Sequence, residues 1–164
     1  MAFATAGLTV FAAAIAAWTQ TGSAADARLR GHGGGKAQAI MAAVAGFDDL
    51  AELPLQRIWD GVAARTAHGE RLSLGVVELD PGAVVPEHHH EHEQLGMVIS
   101  GSVRFRIADD TRELGPGETW TIPSNVPHEV TAGPEGAVVI DVFAPVRADW
   151  TALEAQEPRP PRWP

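Results

Sequence analysis

From residue 55 onward the apolar positions come in short runs with no helical period. In "SVRFRIA", Val103, Phe105 and Ile107 alternate with Ser102, Arg104 and Arg106, the period-two signature of a half-buried strand. "LQRIWDGVAAR" and "ERLSLGVVEL" read as β-rich runs separated by "TAHG", and "DPG" at 80–82 reads as a turn. "LGMVIS", "TWTIP", "HEVTA" and "AVVIDVF" follow as strands, each punctuated by Gly, Pro, Asn or Asp. Many short strands at close spacing predict an all-β fold, a small antiparallel sandwich or barrel. Ahead of it, residues 41–53 read as a short helix ended by Pro54. The Pro-rich tail "EPRPPRWP" is expected to be extended.

The first 40 residues have a different character. An apolar, Ala-rich opening, "MAFATAGLTVFAAAIAAW", gives way to the polar, Gly-rich "TGSAADARLRGHGGG". Small residues near "GSAA" would suit a signal-peptide cleavage site, but no Lys or Arg precedes the apolar run. The run is also short and Thr-dotted for a membrane span. Residues 1–40 are therefore read as an extension, signal-like or disordered, and 41–164 as a single domain with its barrel core at about 55–150. The expected location is cytoplasmic, with export as the alternative if residues 1–25 act as a signal peptide.

Charge divides the chain at the same place. Residues 1–40 carry three basic groups against Asp26, a net of +2, and residues 41–164 carry 9 basic and 20 acidic groups, a net of −11. A nucleic-acid binder usually shows a basic face, so a net charge of −9 argues against that partner. The 164 residues include no cysteine, which removes disulfides, thiolate metal sites and thiol nucleophiles together. Any metal must then be held by His, carboxylate or amide groups.

One stretch offers such groups. "PEHHHEHEQ", residues 86–94, holds four of the seven histidines. In a strand, i and i+2 share a face, so His88 and His90 project together and His89 points the other way. Neutral imidazoles suit a divalent transition metal, Zn, Ni, Fe or Mn. A third ligand must come from elsewhere. His32 lies in the extension and His68 in an expected hairpin turn, whereas His128 opens a strand after "TIPSNVP" and is the favoured third ligand.

In this context the sequence resembles the cupin superfamily. Its first motif runs Gly, five residues, His-x-His, three or four residues, Glu, six residues, Gly, and here Gly82, His88, His90, Gln94 and Gly101 fall in that register. Its second runs Gly, five residues, Pro, one residue, Gly, two residues, His, matched by Gly117, Pro123, Asn125 and His128. Gln94 stands where Glu is usual, and Asn125 where Gly is usual; Asn tolerates the left-handed turn. The resemblance implies a jelly-roll (double-stranded β-helix) barrel, often a homodimer, with a metal on His88, His90, Gln94 and His128. Glu93 and His92 compete with Gln94 for the fourth position. A neutral amide in place of Glu leaves the full divalent charge on the site, which suits a small anionic carboxylate or sugar-acid substrate.

In "AVVIDVFAPVRADW", Asp141 and Phe143 share a face and Arg147 follows Pro145. An Asp in an apolar strand needs a reason to be there. Together, His-x-His, "HEQ", "NVPH" and "DVFAPVR" are similar to the small cupins of pectin and alginate catabolism, which linearise 4,5-unsaturated uronates to a keto form. That resemblance implies an isomerase-like enzyme with Asp141 and Arg147 catalytic, and Phe143 and Arg147 binding substrate. Other metal-dependent cupin enzymes, such as dioxygenases, isomerases or lyases, and non-catalytic metabolite-binding cupins are the alternatives.

Overall fold

The computed structural model describes residues 46–164, so the expectations for residues 1–40 and for the start of the 41–53 helix lie outside it. Of that helix the described residues hold one 3-10 turn, Leu50–Glu52, capped by Asp49, whose Oδ1 accepts from the Ala51 amide at 2.9 Å. Leu53 is already extended, as a residue before proline prefers.

Eight strands follow: β1 (Gln56–Trp59), β2 (Val62–His68), β3 (Ser73–Leu79), β4 (Val84–His88), β5 (Glu93–Ile107), β6 (Asp110–Leu114), β7 (Thr119–Ile122) and β8 (His128–Ala144). Every pairing is antiparallel. The run "LQRIWDGVAAR" is two strands, because Asp60-Gly61 is a hairpin turn with Gly61 at φ 69°. His68 is the last residue of β2, and the turn itself falls on residues 69–72.

The opposite difference occurs in β5 and β8, each of which spans two predicted strands. The glycines that punctuate the pattern bend these strands without ending them. Gly101 and Gly136 sit at φ 74° and 76°, and β5 slips register against β8 on either side of Ser100 and Gly101. A Cβ on Gly101 would lie 2.0 Å from the Gly136 carbonyl oxygen, so only glycine permits this crossing. Strand β6, "DTREL", has no alternating pattern because it is an edge strand with four of its five residues exposed.

The bends close the sheet on itself. Along one edge, β8 pairs with β5 for nearly its whole length; its other edge takes β4 near His128 and β3 from Ala137 to Phe143. The outer edge of β5 is likewise shared between β7 and β6. Inward side chains from the two halves, among them Val77, Leu79, Val103, Phe105 and Ile122, form one apolar core. This is the jelly-roll barrel that the strand pattern and the motifs predict. Outside β2 and β3, the helix-free tail lies against a buried Arg65–Glu78 pair (2.9 Å), with the Arg162 amide donating to Glu78 Oε1 at 3.1 Å. Among the described residues, no helix is long and apolar enough to cross a membrane.

Candidate active site

Two motifs bring three imidazoles to one end of the core. Strand β4 stops at His88, so strand parity does not place His90. His90 lies in the following bend, whose backbone is held by the second motif: the Asn125 amide donates to the His90 carbonyl at 2.8 Å, with Asn125 at φ 62°. His128 opens β8 and pairs directly with His88. Ring centroids are 4.2 Å apart for His88–His128, 5.1 Å for His90–His128 and 5.7 Å for His88–His90. One nitrogen from each ring lies within 4.8 Å of the others.

Each ring is also oriented. The Nδ1 atoms lie 2.8–2.9 Å from the carbonyl oxygens of Pro86, His92 and Val126. A carbonyl only accepts, so each Nδ1 carries the proton and each Nε2 presents a lone pair. Burial pushes all three imidazoles below their usual pKa, His128 to about 4, which keeps them in the neutral, ligating form near pH 7. His128 Nε2 is buried and has no hydrogen-bond partner among the described residues. An orphaned buried acceptor is costly, and a cation satisfies it. The donor set therefore fits a divalent metal.

Gln94, on β5 between β7 and β8, adds an amide. Its Oε1 lies 3.2 Å from His90 Nε2, and its Nε2 donates to Asp141 Oδ1 at 2.7 Å. The acceptor at Asp141 fixes the amide with its oxygen toward the imidazoles. The two competitors are placed elsewhere. Glu93 is exposed on the opposite side of β5, and His92, though buried, turns its Nε2 to the Val146 carbonyl at 3.3 Å.

Asp141, Phe143 and Arg147 line the same cavity as the three imidazoles. Asp141 is buried; burial pushes its carboxyl up to about 7, against the opposing hydrogen bonds from Gln94 and from Trp120 Nε1 (3.2 Å). Both its sheet neighbours are glycines, Gly75 on β3 and Gly96 on β5. A Cβ on Gly96 would lie 2.3 Å from the Trp120 ring and 2.4 Å from Asp141 Oδ1, so the missing side chain is what lets the two meet. The Arg147 guanidinium lies over Phe143 and Trp150, at 4.9 and 4.5 Å from the ring centroids.

Comparison with known proteins agrees with this geometry. Residues 75–143 match the Cupin domain family. The pectin degradation protein KdgF of Dickeya dadantii (strain 3937) is 32% identical over 101 residues, which cover 60% of this chain and 92% of that protein. The chain belongs to the cupin superfamily. A solved KdgF from Halomonas sp. superposes on this cupin with a TM-score of 0.61 at 31% identity, over 65% of this chain and 98% of that one. Oxalate decarboxylase OxdC of Bacillus subtilis (strain 168) is 34% identical over 79 residues, 45% of this cupin but 20% of the decarboxylase.

Four residues of the cupin's site carry no motif signal. Trp120 and Trp150 look like ordinary core aromatics in the sequence, and only the need of a buried indole N–H for an acceptor hints at Trp120. Ser73 Oγ accepts from the Arg147 amide at 2.9 Å, a contact spanning 74 residues of sequence, and lies 2.8 Å from His68 Nδ1. Asp149 binds Arg147 through both carboxylate oxygens.

Proposed function

We propose that this cupin opens the ring of 4,5-unsaturated uronates and releases the linear keto form, with one divalent ion, Zn, Ni, Fe or Mn, held by His88, His90, His128 and Gln94. The observation that carries the reading is the convergence, in one cavity, of the three imidazoles with a buried carboxyl and an arginine. The likeness to the pectin degradation protein KdgF, which spans nearly all of that relative, supports the same substrate class.

Bound there, the ion would supply Lewis-acid polarisation of a substrate oxygen. The remaining roles belong to the chain. Ring opening removes the proton of the anomeric hydroxyl as the bond from the anomeric carbon to the ring oxygen breaks. The ring oxygen leaves as an enol across C4 and C5, and a proton added at C4 yields the ketone. Asp141 is the carboxyl that lines the cavity, and its Oδ2 makes no hydrogen bond to the described residues, so it is free to take and return that proton. Arg147 pairs with the substrate carboxylate through its planar fork. Phe143 packs against the sugar and excludes water. Gln94 keeps both Asp141 and the imidazole end of the site in register.

The direct test is incubation of metal-analysed protein with unsaturated monouronates made by lyase digestion of pectate and of alginate. Proton NMR should show the vinylic C4 signal disappearing well ahead of the protein-free control; equal rates would remove the function. Arg147→Ala should raise KM about 10- to 100-fold with a smaller change in kcat, as expected for losing ~1.5–3 kcal/mol of charge-assisted hydrogen bonding. An unchanged KM would place Arg147 outside the binding site.

A further inference from the structure

We infer that Asp149 is the positioning residue that aims Arg147 at the substrate carboxylate. This inference rests on the carboxylate reading proposed above and deepens it. The Arg147 side chain is 8% exposed and held on every side but one. Its amide is tied to Ser73, and its plane is covered by Phe143 and Trp150. Asp149 engages a single edge of the guanidinium, accepting from Nε at 3.0 Å and from Nη2 at 2.8 Å. Among the described residues Nη1 has no acceptor, so the other edge of the fork remains for a ligand.

Two opposite effects follow from the bidentate pair. Asp149 offsets part of the cation's charge, which weakens attraction for an anion. It also fixes the rotation of the guanidinium, and a two-pronged pair with a carboxylate depends on that rotation. The Asp149 side chain is 56% exposed, so its charge is largely screened by solvent, whereas the orientation it imposes is not. Alignment therefore wins. The guanidinium would otherwise turn about its last bonds between the two rings, since stacking restrains tilt more than in-plane rotation.

The experiment measures kcat and KM for unsaturated uronate, and calorimetric binding of saturated galacturonate as a non-reacting carboxylate, on metal-loaded protein. The variants are Asp149→Ala, Asp149→Asn, Arg147→Ala and the double Ala variant. Asp149→Ala should raise KM and the galacturonate Kd about tenfold with kcat little changed, a size typical of losing a supporting residue. Asp149→Asn, which keeps the shape but accepts only one bond, should fall between. In the Arg147→Ala background, Asp149→Ala should add less than twofold, because its effect passes through the arginine. A purely structural role would give equal losses in both backgrounds and overturn the inference. So would an unchanged KM, or a lowered one, which would make Asp149 a competitor for the fork. Galacturonate binding that depends on Asp149 in a protein that opens no uronate sinks the proposed reaction and keeps the inference. Turnover with a KM indifferent to Asp149 does the reverse.

Discussion

His128→Ala will fold, and will purify with close to no divalent metal where the parent carries about one ion per chain. Turnover should fall about a thousandfold or more, the scale of losing several kcal/mol of transition-state stabilisation. His128 is the imidazole from the second motif, and without it the first motif offers two rings and an amide. Its Nε2 is buried and unpaired, so in the metal-free protein the side chain is a liability to stability rather than a support. Melting temperatures separate the two roles. Metal should raise that of the parent and leave that of the variant unmoved, since only a bound ligand stabilises the folded state. The metal-free variant should melt close to the metal-free parent. Stoichiometric metal and parental turnover in His128→Ala would remove the three-imidazole site, and with it the cavity's chemistry.

The barrel and the imidazoles were legible in the sequence because each rests on a local signal. Alternation marks β5 at Val103, Phe105 and Ile107, and fixed spacings mark His88, His90 and His128. Less legible was anything decided by distant contact. Strand parity was the wrong reason for pairing His88 with His90. The strand ends between them, and the Asn125 amide, 35 residues away, holds the bend that turns His90 inward. Glycines were read as stops, yet Gly101 and Gly136 are where two long strands bend past one another, a meaning that only their mutual approach reveals. Polar edge strands such as β6 have no buried face and so no pattern to read. The same limit hid Ser73 and Trp120, which reach Arg147 and Asp141 from distant strands, whereas Asp149, only two residues beyond Arg147, falls outside every motif position and has no spacing to mark it.

Gln94 shows how a departure from a motif becomes intelligible once its neighbours are known. Its amide nitrogen lies 2.7 Å from Asp141 Oδ1. A Glu there would set two carboxyl groups at hydrogen-bond distance, and the pair would hold one proton between them rather than both ionise. With Gln, Asp141 is free to exchange its proton with a ligand rather than with a neighbour. The amide thus serves two ends: an uncharged oxygen toward the imidazoles, and a donor that holds the carboxyl in place.

Asp141→Asn isolates that proton from everything else in the site. Asn has the same shape, and its Oδ1 can accept from Gln94 Nε2 and Trp120 Nε1 as Asp141 does, so the strand, the glycine-lined gap and the orientation of Gln94 should persist. The other oxygen becomes an NH2 group, which neither takes a proton from a hydroxyl nor returns one to carbon. Removing the desolvated carboxyl also relieves the burial that pushes its pKa up, so thermal stability should hold or rise slightly. The expected result is full metal content, an unchanged melting temperature within a few degrees, a KM close to that of the parent, and kcat lower by about 10²–10⁴, the usual worth of a positioned acid–base group. The contrast with His128→Ala is the informative part: there metal and turnover fall together, whereas here turnover falls alone. Parental kcat in Asp141→Asn would mean that the proton moves by another route, and the assignment of Asp141 would have to be abandoned even if the uronate reaction stood.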